Sequence, residues 1–148
     1  MAVTLRLANT LVQNQVLGKG LAFPMREDPT NGDFLGVAGA DNVKQCIIDL
    51  ITTRVGERLM NEDLGTEIAD SVFESQQAVI DILPLRVREA INQFEPRVQS
   101  VTASAVPFSL DNGLRGVKLN VSWVLRSGGG RDSLVYPYYL EPAEGGLS

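Results

Sequence analysis

Hydrophobic and polar positions keep one spacing through the middle of the chain and a different one near its C-terminal end. Val43, Cys46, Ile47, Leu50 and Ile51 fall at i, i+3, i+4, i+7 and i+8, one apolar stripe on a helix. The stripe predicts a helix from Asp41 to Thr53, with Asp41 as its N-cap, Gly56 at its C-terminal stop and Cys46 as core filling. A longer helical pattern covers residues 76–94, with Val79, Ile82, Leu83, Val87, Ala90, Ile91 and Phe94 as its buried face. Pro84 interrupts this pattern, which predicts a kink or a fresh helix start. Between the two, Thr66 is placed to cap a short helix reaching Glu74 that buries Ile68, Ala69, Val72 and Phe73.

Pro96 ends the long helix, because a residue before proline is pushed out of the α region and Glu95 must already be extended. The period then changes to two. Val117, Leu119, Val121, Trp123 and Leu125 alternate with Lys118, Asn120, Ser122 and Arg126, the pattern of a half-buried strand. Residues 97–106 read as a strand whose alternation slips at Gln99-Ser100, a bulge. Asp111-Asn112-Gly113 turns the chain between these two strands. A third strand over residues 133–140 contains Pro137, which cannot donate to a ladder and so belongs at an edge. An edge with little charge and three tyrosines nearby is poorly guarded. Either the N-terminal arm covers it, or it is open to a strand from a partner.

The first forty residues lack such periodicity. Val3, Leu5 and Leu7 alternate as one strand would, and Gly18-Lys19-Gly20 and residues 28–33 supply turn chemistry. Gly18-Lys19-Gly20 lacks the glycine spacing and Lys-Ser/Thr ending of a phosphate loop and is read as a turn. The whole describes an α+β protein in which two or three main helices pack on a small antiparallel sheet with a C-terminal β-hairpin. It is read as one domain over residues 1–148: an N-terminal arm and loop-rich lead-in (1–40), a helical part (41–94), a β-sheet part (97–140) and a flexible tail (141–148).

Composition narrows the chemistry. The chain is 44% hydrophobic and 21% charged, ordinary for a globular protein. Thirteen basic against eighteen acidic residues give a formal charge of −5, with no basic block to meet phosphates, so nucleic acid is not an expected partner. No apolar run approaches the roughly 18 to 20 residues that span a bilayer. The opening residues lack the layout of a secretory signal, which predicts synthesis in the host cytoplasm, and the single cysteine suits a reducing compartment. The absence of histidine excludes Ser-His-Asp and Cys-His triads and removes the commonest transition-metal ligand. Neither a metal site nor a cofactor is expected.

Two groups of side chains remain. Glu57, Glu62, Asp63 and Glu67 are enough carboxylates for a glycosidase pair, but the one tryptophan lies in the strand's apolar stripe, leaving no aromatic sugar platform. They are read as caps and solvated loop acids. Glu95-Pro96-Arg97 puts an acid and a guanidinium on either side of a fixed bend. Glu95 and Arg97 pair with each other, or Arg97 reaches a carboxylate on another subunit in bidentate fashion, or the segment is a helix stop with solvated flanks.

The run from Ile48 to Met60, with its Thr53-Arg54-Val55-Gly56-Glu57-Arg58 segment, resembles the phage baseplate protein W family. Gly20-Leu21-Ala22-Phe23-Pro24 is similar to that family's opening motif. Leu64-Gly65, Val72-Phe73-Glu74 and the Glu95-Pro96-Arg97 signature follow in the family's order, so the resemblance covers residues 18–125. It implies a structural wedge component of a contractile-tail baseplate, in a phage, a tailocin or a type VI secretion system, that initiates the sheath and is not an enzyme. The family's lysozyme-like label leaves a tail-associated cell-wall hydrolase as the alternative. Implied partners are baseplate wedge proteins, sheath subunits, and tail tube or hub proteins, with about six copies around the tail axis. By the same resemblance Glu95, Pro96, Arg97, Gly56, Glu57 and Arg58 are the candidate wedge contacts. The hairpin of residues 115–140, through Leu134, Tyr136, Tyr138 and Tyr139, is the candidate sheath edge. An Arg97→Glu change is then expected to block wedge assembly and leave the isolated domain folded.

Overall fold

The computed structural model describes residues 17–66, 75–128 and 130–140. The expected Val3–Leu7 strand, the body of the helix capped by Thr66, and the C-terminal tail lie outside these residues. The described elements run in the order β1 (Lys19–Leu21), β2 (Gly36–Ala38), α1 (Ala40–Thr52), α2 (Gln76–Phe94), β3 (Val98–Ser109), β4 (Arg115–Leu125) and β5 (Arg131–Leu140). β1 and β2 form a two-stranded antiparallel sheet, and β3-β4-β5 a second antiparallel sheet in that order. The fold is α+β, as the change of period predicts.

β4 carries the core. Val117, Leu119, Val121, Trp123 and Leu125 are all at most 2% exposed, facing Val79, Leu83, Val87, Ala90 and Ile91 of α2 and Val43, Ile47, Leu50 and Ile51 of α1. The predicted bulge sits between Val98 and Ser100, and the turn closes with Gly113 N–H donating to the Leu110 carbonyl and Leu114 N–H to Asn112 Oδ1. α2 begins at Ser75, whose hydroxyl accepts from Ala78 N–H, and continues through Pro84 as one helix, so Pro84 starts no new one. Proline there removes the N–H that would have bonded one turn back and crowds the Ile80 carbonyl, a cost that the helix absorbs without ending. Ile82, predicted buried, is 36% exposed because it lies at the margin of the stripe, away from the sheet.

Three local expectations change. Gly18-Lys19-Gly20 leads into strand β1 and is not a turn, with Gly20 opposite Val37; a pairing between two three-residue segments leaves no period in the sequence. The N-cap of α1 is Gly39, at φ 66 and ψ −137, with no side-chain cap. The chain comes straight off β2, and Asp41 falls inside the first turn, where its charge still favours the helix N-terminus. At the other end the helix stops at Thr53 in extended conformation, before Gly56. Its last carbonyls are taken by hydroxyls: Thr52 and Thr53 donate to Ile48 and Asp49 at 2.9 and 2.6 Å, and buried Thr66 donates to Ile51 at 3.1 Å.

On the sheet's outer face, Phe108 and Tyr139 meet edge-to-face over Gly116, with ring centroids 5.6 Å apart and planes at 85°. A Cβ on Gly116 would lie 2.5 Å from both Phe108 Cζ and the Tyr138 carbonyl oxygen. The ring can swing away but the carbonyl is held in the sheet. Gly116→Ala is therefore expected to cost about 2 kcal/mol, read as a fall in thermal midpoint of the purified protein.

Candidate functional site

The helix-to-strand junction folds back on itself. Glu95 caps α2 at φ −118 and ψ 82, donating its N–H to the Ile91 carbonyl, and Pro96 turns the chain outward to the solvent. The Glu95 side chain turns inward and the residue is only 4% exposed. Arg97 Nε and Nη2 donate to its two carboxylate oxygens at 2.6 Å each, a fork-on-fork pair. Arg97 Nη1 donates to the Leu17 carbonyl at 2.7 Å. This hydrogen-bonded carboxylate raises the Arg97 guanidinium above its ordinary value, against the opposing effect of burial. Arg126 N–H then donates to the Arg97 carbonyl, and Arg126 Nε to that of Val98. One short segment thus ties together the incoming chain, the end of α2, the start of β3 and the end of β4.

Of the readings open from the sequence, internal pairing is the one observed. The segment is not a helix stop with two solvated flanks, since Glu95 is buried and Arg97 is only partly exposed. Nor is the guanidinium fork available for a partner's carboxylate, since Glu95 already fills it. A buried acid was invisible in the sequence because it depends on Arg97 turning back onto it, and Arg97 is in turn held by the Leu17 carbonyl, which is distant along the chain.

Beside this junction opens a cleft of about 400 Å³ lined by Cys46, Asp49 and Leu50 of α1, Arg58 and Leu64 of the following loop, Phe94, and Glu95, Pro96 and Arg97. Its walls are mainly apolar. Cys46 is half-buried here, its thiol 3.9 Å from Asn42 Oδ1, and so borders the cleft instead of filling the core. Arg58 joins Glu95, Pro96 and Arg97, but Gly56 and Glu57 face a separate shallow depression with Thr52, Arg54 and Val55. Those two residues hold the loop's shape. Glu57 Oε2 accepts from Arg54 N–H at 3.0 Å, and Gly56 N–H donates to the Glu62 carbonyl. Gly65, at φ 132, brings the loop's return against Thr53, where a Cβ would lie 2.5 Å from the carbonyl oxygen. The loop so closed presents Leu59 and Met60 beside Arg58, 96% and 102% exposed. Neither apolar side chain belongs to any stripe, which is why periodicity passed over them; Leu50, Leu64 and Phe94 were legible as apolar but not as a cleft wall.

The candidate sheath-edge residues divide between two faces. Leu134, Tyr136 and Tyr138 stand opposite Val121, Leu119 and Val117 and are half-buried against the core, while Tyr139 stands opposite Gly116 on the outer face. Pro137 is opposite Lys118 in β5, a terminal strand of the sheet among the described residues. Among the described residues no group of His, Cys, Asp and Glu is arranged to hold a metal, and no helix is long and apolar enough to cross a membrane.

Residues 37–128 match a family model described as baseplate wedge protein gp25. The baseplate wedge protein gp25 of Enterobacteria phage T4 is 26% identical over 78 residues, 52% of this chain, which spans 59% of that relative's length. Among solved structures, a candidate tail lysozyme of Geobacter sulfurreducens superposes with a TM-score of 0.58 at 29% identity, covering 70% of this chain and 92% of that one. The sixfold-symmetrised baseplate of the anti-feeding prophage gives 0.58 at 24%, covering 90% and 94%. The baseplate complex of a type VI secretion system gives 0.51 at 15%, covering 68% and 93%. These last two are likenesses of fold.

Proposed function

From its membership of the baseplate wedge protein gp25 family, which makes it a structural component of a contractile-tail baseplate, we propose that this chain joins wedge proteins through its cleft and seeds the sheath through its sheet. The observation that carries the wedge reading is the cleft itself: an open apolar hollow whose rim is locked by a buried ion pair, next to the fully exposed Leu59 and Met60. Large apolar side chains at full exposure mark a surface that another protein covers. The contacts are Pro96, the exposed part of Arg97, and Arg58, with Gly56 and Glu57 shaping the loop that delivers them. Glu95 contributes by holding Arg97.

This geometry changes the expected behaviour of Arg97→Glu. A second carboxylate would face Glu95 in a buried site, so the isolated domain would itself lose about 3–5 kcal/mol. Docking is tested at exposed positions instead. Arg58→Glu with Leu59→Asp is expected to leave the isolated protein's melting curve in place, since exposed substitutions change stability by only about 0.5 kcal/mol. Tail particles made with that variant should lack assembled baseplates. Normal baseplates in those particles would refute the docking role of the cleft.

The sheath reading rests on β5. Its outer backbone offers donors and acceptors to an incoming strand, while Leu134, Tyr136 and Tyr138 toward the core and Tyr139 on the outer face set register. Sheath subunits of the first ring are the proposed occupants, with about six copies of this chain around the axis.

The chain acts without catalysis in this reading, although the Geobacter sulfurreducens relative is described as a candidate tail lysozyme. What supports this is the use made of its acids. Both oxygens of Glu95 are engaged by Arg97, and Glu57 is bonded to Arg54 N–H. The purified protein is expected to leave the turbidity of a cell-wall suspension unchanged. Clearing that one carboxylate substitution abolishes would establish a hydrolase.

A further inference from the structure

The pairing of β1 with β2 continues beyond both strands into a longer β-ribbon over residues 18–39. Ala22 N–H donates to the Leu35 carbonyl, Leu35 N–H donates to that of Arg26, and Glu27 stands opposite Phe34. The returning strand, residues 33–38, makes the ribbon about 20 Å long. Because Leu35 bonds Ala22 on one side and Arg26 on the other, Phe23, Pro24 and Met25 bulge out of the ladder. Phe23, Met25, Phe34 and Leu21 are 72%, 66%, 65% and 57% exposed, and none of them joins the core. We propose that this ribbon is a second contact for the wedge protein that occupies the cleft, and that it seats in an apolar groove of that partner with lysine or arginine at the groove's far end. The proposal rests on the wedge reading and extends it.

Continuity with the cleft identifies the partner. The ribbon starts directly after Leu17, whose carbonyl accepts from Arg97 of the cleft wall. Its root also lies against α1. A Cβ on Gly20 would come 2.5 Å from Asn42 Oδ1, and that oxygen is 3.9 Å from the thiol of Cys46, another cleft residue. Gly20 and Val37 stand opposite each other on the face turned to α1. Leu21 is opposite Gly36, and Phe34 lies two residues before Gly36, so both fall on the face turned away. A protein seated against Pro96 and Arg58 therefore meets the root of the ribbon along the same border.

Composition gives the chemistry of the groove. Aromatic residues and methionine are enriched at the centres of protein interfaces, and Phe23, Met25 and Phe34 supply both. Glu27, Asp28 and Asp33 crowd the tip with no base between them. Opposite charge on the partner fixes the register of such a tip. A ribbon rooted at the cleft adds its contacts within one complex, so its loss lowers affinity without removing the cleft contact.

Benzoylphenylalanine in place of Phe23, and separately in place of Leu59, reads both contacts by photocrosslinking in assembled tail particles. Both positions are expected to capture the same wedge protein, identified by mass spectrometry. Capture at position 23 of a different protein, of a second copy or of this chain's own residues overturns the proposal. Capture at 59 with none at 23 also overturns it and leaves the cleft reading standing, whereas capture at neither sinks the cleft reading with it. Met25→Thr with Phe34→Thr should leave the free protein's melting unchanged and reduce its incorporation into particles at least about tenfold. Glu27→Lys with Asp33→Lys should reduce incorporation at least about fivefold. Full incorporation of either variant counts against the ribbon as a contact.

Discussion

Glu95→Ala is expected to destabilise the isolated domain by about 2–3 kcal/mol, lowering its thermal midpoint by about 5–10 °C. Its carboxylate is almost fully enclosed and takes two short hydrogen bonds from Arg97, whose side chain is 25% exposed. Removing the acid strands a guanidinium that keeps the Leu17 carbonyl as an acceptor but loses both carboxylate oxygens. Partial access to water keeps the loss below that of a wholly buried pair. Arg97→Ala should cost a similar amount by leaving the buried carboxylate unpaired. The double replacement should cost clearly less than the sum, with a coupling of about 1.5–3 kcal/mol in urea denaturation. Additive losses would mean that the two side chains do not depend on each other. The pair sits where the incoming chain, α2 and β3 meet, so its loss should also loosen the cleft and weaken wedge docking.

Trp123→Ala should be the most damaging single truncation in the core, at about 3–5 kcal/mol by equilibrium denaturation. The indole is the largest fully buried side chain and lies at the centre of the β4 stripe. It also has a weakness, because its Nε1 finds no hydrogen-bond partner among the described residues. Burying that donor unsatisfied costs about 1–3 kcal/mol. Trp123→Phe discards the orphan donor together with part of the ring, so the two effects largely offset and the net loss should stay below about 1.5 kcal/mol. A phenylalanine variant as unstable as the alanine one would show that the indole N–H is well satisfied.

The elements legible in the sequence were those set by local constraints. The β4 alternation picked out all five inward residues, Pro96 fixed the end of α2, and Asn112-Gly113 fixed the hairpin turn. What stayed hidden depends on segments that meet across the fold. β1 and β2 pair over three residues each, too short for any period. Gly39 caps α1 because of where β2 leaves the chain, so the better capping side chain, Asp41, falls two residues too late and sits inside the first turn. Gly65 is glycine because Thr53 passes beside it, a contact that spacing cannot announce. The same holds for the site. Glu95-Pro96-Arg97 and Arg58 were identifiable from their resemblance to a family, yet the burial of Glu95, the cleft wall of Cys46, Leu50, Leu64 and Phe94, and the exposed pair Leu59-Met60 required the tertiary structure. Among the β5 candidates the sequence placed the strand at an edge, as it lies among the described residues, but could not assign Tyr139 to the face opposite Leu134, Tyr136 and Tyr138, since Tyr138 and Tyr139 are adjacent and equally apolar, so polarity does not tell their faces apart.

Electron cryomicroscopy of the assembled tail, at a resolution that shows side chains, tests the docking surfaces together. The expected result is density from a neighbouring protein seated in the cleft against Pro96 and Arg58, and main-chain hydrogen bonds that continue the sheet into another chain. A cleft open to solvent in the finished baseplate, with the sheet bordered only by this molecule's own residues, would contradict it.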